Sequence, residues 1–134
     1  MGDKKNQEND PFVQFFTFQT DTTKAGRVLS TAKIGDIYMS RLVIEPKVVT
    51  GNMYHKKMRI MFYVEQGKVT AIFEHTKTKE RKEIDLIAGK HVVHVPPLVG
   101  LATKNVGKSN AVLVFFSTKR LRSPDDTFDY LLLD

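Results

Sequence analysis

The sequence predicts an all-β domain, a sandwich or a barrel. Three observations lead there. No segment of about ten residues or more carries a convincing helical period. Many short runs are rich in Val, Ile, Phe, Tyr and Thr, which suit a pleated, half-buried surface. Turn signals built on Gly, Pro and Asn divide these runs roughly every eight to twelve residues, the spacing of sandwiches and barrels. No internal repeat stands out.

The elements follow in order. Residues 1–10 are polar and aperiodic and read as a flexible tail, followed by one domain over 11–134. Phe12 to Phe18, F-V-Q-F-F-T-F, is rich in strand formers, and such a greasy strand needs cover from the core or from a second subunit. Thr20 to Lys24 is a polar turn, and Gly26 to Thr31 is a short strand. Asp36 to Glu45 alternates cleanly: Ile37, Met39, Arg41 and Val43 share one face, Tyr38, Ser40, Leu42 and Ile44 the other. Pro46 ends it. Thr50-Gly51-Asn52 is a turn into a strand that carries His55. Arg59 to Glu65 and Lys68 to His75 read as a hairpin about Gly67, whose glycine supplies a positive φ. A second hairpin turns through Thr76 to Glu80 and returns as Arg81 to Ile87. Val92 to Val95 stops at Pro96-Pro97. Val99 to Lys104 and Asn110 to Ser117 complete the strands, and Arg122 to Asp134, polar and then apolar, docks as a tail.

Bulk properties narrow the class. The 134 residues fit one domain and bury a real core without covalent staples. There is no cysteine, which excludes disulfides, thiolate metal sites and cysteine nucleophiles. No apolar signal core opens the chain, Asn6 stands where a myristoylation signal wants Ser or Thr, and no apolar run approaches the roughly 18 residues of a membrane span. A cytoplasmic protein, not bound to membrane, is expected. The net charge of +6 favours anionic partners. It is scattered over Lys4-Lys5, Lys56-Lys57-Arg59, the Lys77-to-Lys82 stretch and Lys119-Arg120-Arg122. No aromatic residues interleave with these lysines, so nucleic acid is not expected.

The titratable side chains offer one setting of interest. His91 and His94 fall on opposite faces of a strand, and His75 sits at a charged hairpin end. None has metal-ligand company at the right spacing. His55 shares a strand face with Met53 and is followed by Lys56 and Lys57. It is either a hydrogen-bonded wall residue or a general acid–base, for which imidazole titrates in the right range. Lys57 and Arg59 are candidates to hold an anion beside it. Arg41 is another, or else the partner of a carboxylate. No nucleophile elbow, phosphate loop, dinucleotide fingerprint or zinc-binding helix is present. Asp125-Asp126 reads as a turn or helix start.

G-N-M-Y-H-K-K, I-M-F-Y-V and E-Q-G-K-V resemble the first cupin motif, and A-G-K-H-V-V-H-V-P-P-L-V-G-L-A-T-K-N resembles the second. The resemblance spans roughly Ile37 to Tyr130. Among cupins it is nearest to small proteins and domains that act on nucleotide-activated sugars: 3,4-ketoisomerases, 3,5-epimerase-like proteins and capsular polysaccharide cupin domains. The tail Pro124-Asp-Asp-Thr-Phe128 is similar to theirs. The resemblance implies a jelly-roll, double-stranded β-helix and a homodimer paired through N-terminal strands, here Phe12 to Phe18. The family's metal positions fall on Met53, His55, Ile60 and Leu101, and Asn105 matches the motif's asparagine. Leu98 replaces a glycine and Thr50 an arginine. One imidazole with Met, Ile and Leu does not hold a divalent ion. No metal and no cofactor are expected.

Three functions follow as expectations. The first is a metal-independent isomerase or epimerase on a nucleotide-linked keto sugar in polysaccharide biosynthesis. His55 is its base and Tyr63 a catalytic partner, with Arg41, Met53, Lys57, Ile60 and Leu101 about the substrate. The second is a non-catalytic cupin that binds a small ligand in a barrel lined by Met53, Ile60 and Leu101. The third is a dimeric interaction module.

Overall fold

The structure, a computed structural model, describes residues 11–134. The tail expected over 1–10 lies outside the described residues. Those described form eleven strands and no helix, so there is no helix long and apolar enough to cross a membrane. The strands are β1 (Gln19–Asp21), β2 (Arg27–Ile34), β3 (Ile37–Ile44), β4 (Val49–Tyr54), β5 (Ile60–Gln66), β6 (Lys68–His75), β7 (Arg81–Ile87), β8 (Val92–Val95), β9 (Val99–Asn105), β10 (Ala111–Ser117) and β11 (Phe128–Asp129). One sheet has the order β1-β2-β3-β10-β5-β8 and the other β11-β4-β9-β6-β7. Every pairing is antiparallel. The chain is a jelly roll, as expected.

Alternation decides what the barrel holds. On β5, Ile60, Phe62 and Val64 turn inward while Met61, Tyr63 and Glu65 turn out. On β3, Leu42 and Ile44 are buried in the core and Arg41 is exposed. Phe62 stacks on Phe115 of β10 within the core, with ring centroids 5.0 Å apart. Val69, Ala71, Leu86 and Leu101 meet them from the opposite sheet.

Three local expectations are corrected. Arg59 to His75 is not one hairpin. β5 pairs with β8 and β10, while β6 pairs with β7 and β9, so Gly67 carries the chain from one sheet to the other. Its φ of +87° serves that corner as well as it would serve a hairpin, and a Cβ there would lie 3.0 Å from Ala111 Cα. The β6–β7 hairpin forms as expected. Phe12 to Phe18 belongs to neither sheet; β2 offers its edge only to Gln19–Asp21. Strand-forming composition needs a ladder beside it, and none was legible locally.

Thr50-Gly51-Asn52, expected as a turn, is instead a bulge inside β4, where the register against β9 shifts between Gly51 and Met53. Both bulge residues are left-handed, Gly51 at φ +92° and Asn52 at +59°. Glycine and asparagine are the residues that accept this conformation. The bulge aims Asn52 at the C-terminal tail. Its Oδ1 accepts the Leu132 and Leu133 amides at 2.8 and 2.9 Å, and its Nδ2 donates to Leu133 O at 2.7 Å. The tail therefore docks, with Leu132 buried against Ile72 and Ala102 on the outer face of the second sheet.

Candidate functional site

His55 is the residue that follows β4, and β-alternation from Met53 turns both side chains inward. The residue is 5% exposed. Nδ1 lies 2.6 Å from the carbonyl oxygen of Asp126, 71 residues away in sequence. A carbonyl only accepts, so Nδ1 carries the proton and a neutral ring keeps its lone pair on Nε2. Nε2 has no protein partner among the described residues. The histidine is thus an oriented acceptor in the barrel wall.

The Asp126 side chain builds the turn that holds it. The carboxylate accepts the backbone amides of Lys56 at 2.9 Å, Lys57 at 3.1 Å and Met58 at 2.7 Å. Burial pushes the Asp126 carboxyl up, but these three amides outweigh it, and the group sits below the usual carboxylate range. In the sequence Asp126 reads as a turn or helix start. Nothing local marks it as the clamp on a histidine so far away.

The barrel encloses a cavity of about 60 Å³. Met53, His55, Ile60 and Leu101 all line it, so the four positions aligned with the family's metal ligands do converge. Leu42, Val95 and Phe115 add apolar wall, and Leu121 and Arg122 stand on it as well. Thr50 and Thr103 are there too, but their hydroxyls bond each other at 2.7 Å. One imidazole, a thioether and two alkyl chains do not fit a divalent cation, which takes three or four His, Cys or carboxylate ligands. Among the described residues no group of three or more His, Cys, Asp or Glu comes together elsewhere.

The other expected site residues stand apart. Tyr63 is on the outer face of β5, beside Gly89 and Val92 rather than in the cavity. Arg41 is on the outer face of β3, in a half-exposed pair with Glu65 at 3.8 Å. Lys57 is exposed and takes part through its backbone amide alone. His94 faces out, with Arg59 Nε 3.4 Å from its Nε2, and His75 Nδ1 accepts the amides of its own turn. The residue that sequence reasoning missed at the cavity is Arg122, which the tail brings back across the barrel mouth.

Solved structures share this architecture. CapF of Staphylococcus aureus, a capsular polysaccharide assembling protein, superposes with a TM-score of 0.75 at 21% identity, over 90% of this chain and 36% of CapF. A tryptophan-to-phenylalanine variant of oxalate decarboxylase from B. subtilis superposes at 0.69 and 11% identity, over 84% of this chain and 30% of that one. Oxalate oxidase gives 0.64 and 16%, covering 73% and 53%. The fold is that of the cupins. This chain spans about a third of CapF's length. No family model matches the sequence, and no curated protein matches it.

Proposed function

We propose that the protein is a metal-free cupin whose barrel binds a small group of a larger ligand, with His55 Nε2 as the acceptor that orients it. The observation that carries this is the Nδ1–H to Asp126 O bond, which leaves a single lone-pair nitrogen on a mostly apolar cavity wall, whose other polar residues are the mutually bonded Thr50 and Thr103 and Arg122. About 60 Å³ is small beside the roughly 300–1,000 Å³ of sites that enclose a whole drug-sized molecule. Only part of the ligand enters, and the remainder lies at the mouth. The likeness to a capsular polysaccharide assembling protein supports a saccharide ligand, and polysaccharide biosynthesis as the setting. The test is methyl NMR of Met53 and Leu101 with a panel of free hexoses and uridine diphosphate-linked hexoses. Saturable shifts at both methyls that His55→Ala removes support the proposal. A panel that moves neither methyl rules it out.

A second function, isomerisation or epimerisation of a nucleotide-linked keto sugar, is favoured by the same fixed tautomer. Nε2 would take the proton from the carbon beside the keto group; the C–H electrons form an enediolate and the carbonyl electrons go to its oxygen. For isomerisation the hydroxyl on that carbon passes its proton to the former carbonyl oxygen, and Nε2–H returns the first proton to the former carbonyl carbon. Ketone and alcohol change places, and no proton is gained or lost. Epimerisation needs in addition a second proton donor on the opposite ring face. The cavity wall offers that oxyanion Arg122 alone as a cation, since Tyr63, Arg41 and Lys57 lie elsewhere. Solvent deuterium entering a uridine diphosphate-linked 4-keto hexose, and not doing so with His55→Gln, supports catalysis. Binding without any exchange leaves the protein a binding module.

A further inference from the structure

Two hydroxyls on the cavity wall hold a hydrogen that the fold does not use. Thr50 of β4 and Thr103 of β9 face each other across the ladder, and both line the cavity. They are 6% and 2% exposed. Their Oγ1 atoms lie 2.7 Å apart, and among the described residues neither hydroxyl has another partner. Each hydroxyl carries one hydrogen, and a single hydrogen bond joins the two. Whichever of them donates, the other keeps an O–H with no acceptor. A buried donor left unpaired is costly, so this one marks a point where a ligand atom can accept. Its oxygen already accepts a hydrogen bond, and that polarises the hydroxyl into a better donor.

A second hydroxyl pair sets a comparison. Thr31 of β2 and Ser40 of β3 are also in register and buried, with oxygens 3.2 Å apart. Neither lines the cavity. Pairing of hydroxyls across a ladder is thus a device of this fold in general; only at Thr50 and Thr103 does it face the cavity.

The rest of the wall decides which acceptor fits. Met53 and Leu101 form the next pair of the β4–β9 ladder, and His55 follows beyond them. Polar groups therefore stand at two levels of the cavity, with an apolar belt between. A carboxylate fits poorly. It would give up its water among Met53, Ile60, Val95, Leu101 and Phe115 for one hydroxyl. Arg122, the cation on the wall, already pairs with Asp21 at 3.2 Å. A wholly apolar group would leave the O–H unpaired. An uncharged oxygen costs less to desolvate and takes the same hydrogen.

We propose that the Thr50–Thr103 pair is a hydrogen-bond donor built into the barrel wall, and that it selects an uncharged, hydroxylated ligand such as a sugar or polyol. An oxygen of the ligand accepts the free O–H of the pair. This deepens the barrel reading above and rests on it, adding the determinant that rejects carboxylates and wholly apolar groups.

Methyl NMR of the full chain at constant ionic strength tests it, read at Leu101 and at the two threonine methyls, with ethylene glycol, acetate and xenon as probes. Glycol should give saturable shifts and acetate none. Thr50→Val combined with Thr103→Val removes both hydroxyls and keeps their shape, so neither partner is left unpaired. Read at Leu101, this variant should weaken glycol at least about tenfold. It should still take xenon, which reports an intact apolar cavity. Ser40→Ala, which breaks the other pair, should change glycol by less than about twofold. Acetate bound as tightly as glycol, glycol unchanged in the double variant, or no saturable glycol shift in wild type would overturn the proposal. Loss of glycol and xenon together in the double variant would also overturn it, because a structural role for the pair would then account for the loss. His55→Ala separates this claim from the barrel reading. Glycol lost there but kept in the threonine variant removes the pair and leaves His55 as the acceptor; the opposite result leaves the pair and removes His55.

Discussion

A single carboxylate and its own carbonyl organise the site at the scale of residues. Asp126 holds the Lys56–Met58 turn with its side chain and the His55 ring with its backbone. Asp126→Asn keeps the shape but cannot accept all three amides as well, and it should lose about 1–3 kcal/mol in urea unfolding. The pH dependence has a definite sign. The folded carboxyl lies below its ordinary value, so its contribution is fully present above the unfolded carboxylate pKa of about 4. It fades as pH falls through the folded value. Amide protection of Lys56, Lys57 and Met58 should therefore vanish on acidification below that range, and an unchanged stability difference between wild type and Asp126→Asn across this fall would contradict the assignment. Parity explains what was legible here. Met53 and His55 share a face by their even offset. Ile60 and Tyr63 are an odd offset apart on one strand, so both cannot face the cavity; the pattern already held that answer. Asp126 and Arg122 come from a distant tail and have no local signature.

At the scale of elements, the β4 bulge links the site to the tail. A Cβ on Gly51 would sit 2.6 Å from the Leu101 carbonyl oxygen, on backbone that cannot yield, and φ is +92°. Gly51→Ala should lose roughly 2–4 kcal/mol and shift the cavity wall at Leu101, read by thermal unfolding and methyl NMR. Asn52→Ala should free the Leu132 and Leu133 amides to exchange while β6 and β9 stay protected; uniform deprotection would mean the tail is part of the global unfolding unit. The residue types of Gly51-Asn52 signal left-handed backbone, and the backbone is left-handed. They do not say whether it reverses the chain or bulges a strand, because only the partner strand decides. Gly67 repeats the lesson: one positive φ serves a hairpin and a sheet-to-sheet corner alike.

For the whole molecule, composition and turn spacing sufficed for the all-β class, and the two motifs for the jelly roll. Assembly is a prediction at this scale. Phe12, Phe15 and Phe18 are 92%, 58% and 45% exposed in a single chain, which suits the homodimer expected from this segment. Light scattering at tens of micromolar should give twice the chain mass, and Phe15→Asp with Phe18→Asp should halve it; a wild-type monomer would refute the dimer. The central claim concerns His55, and ring ¹⁵N NMR of that histidine tests it most directly. The account predicts a neutral Nδ1–H tautomer whose Nε2 resonance moves on titration with a uridine diphosphate-linked hexose, with no divalent metal added. An Nε2–H tautomer, or an Nε2 signal that no sugar in the panel moves, would contradict it.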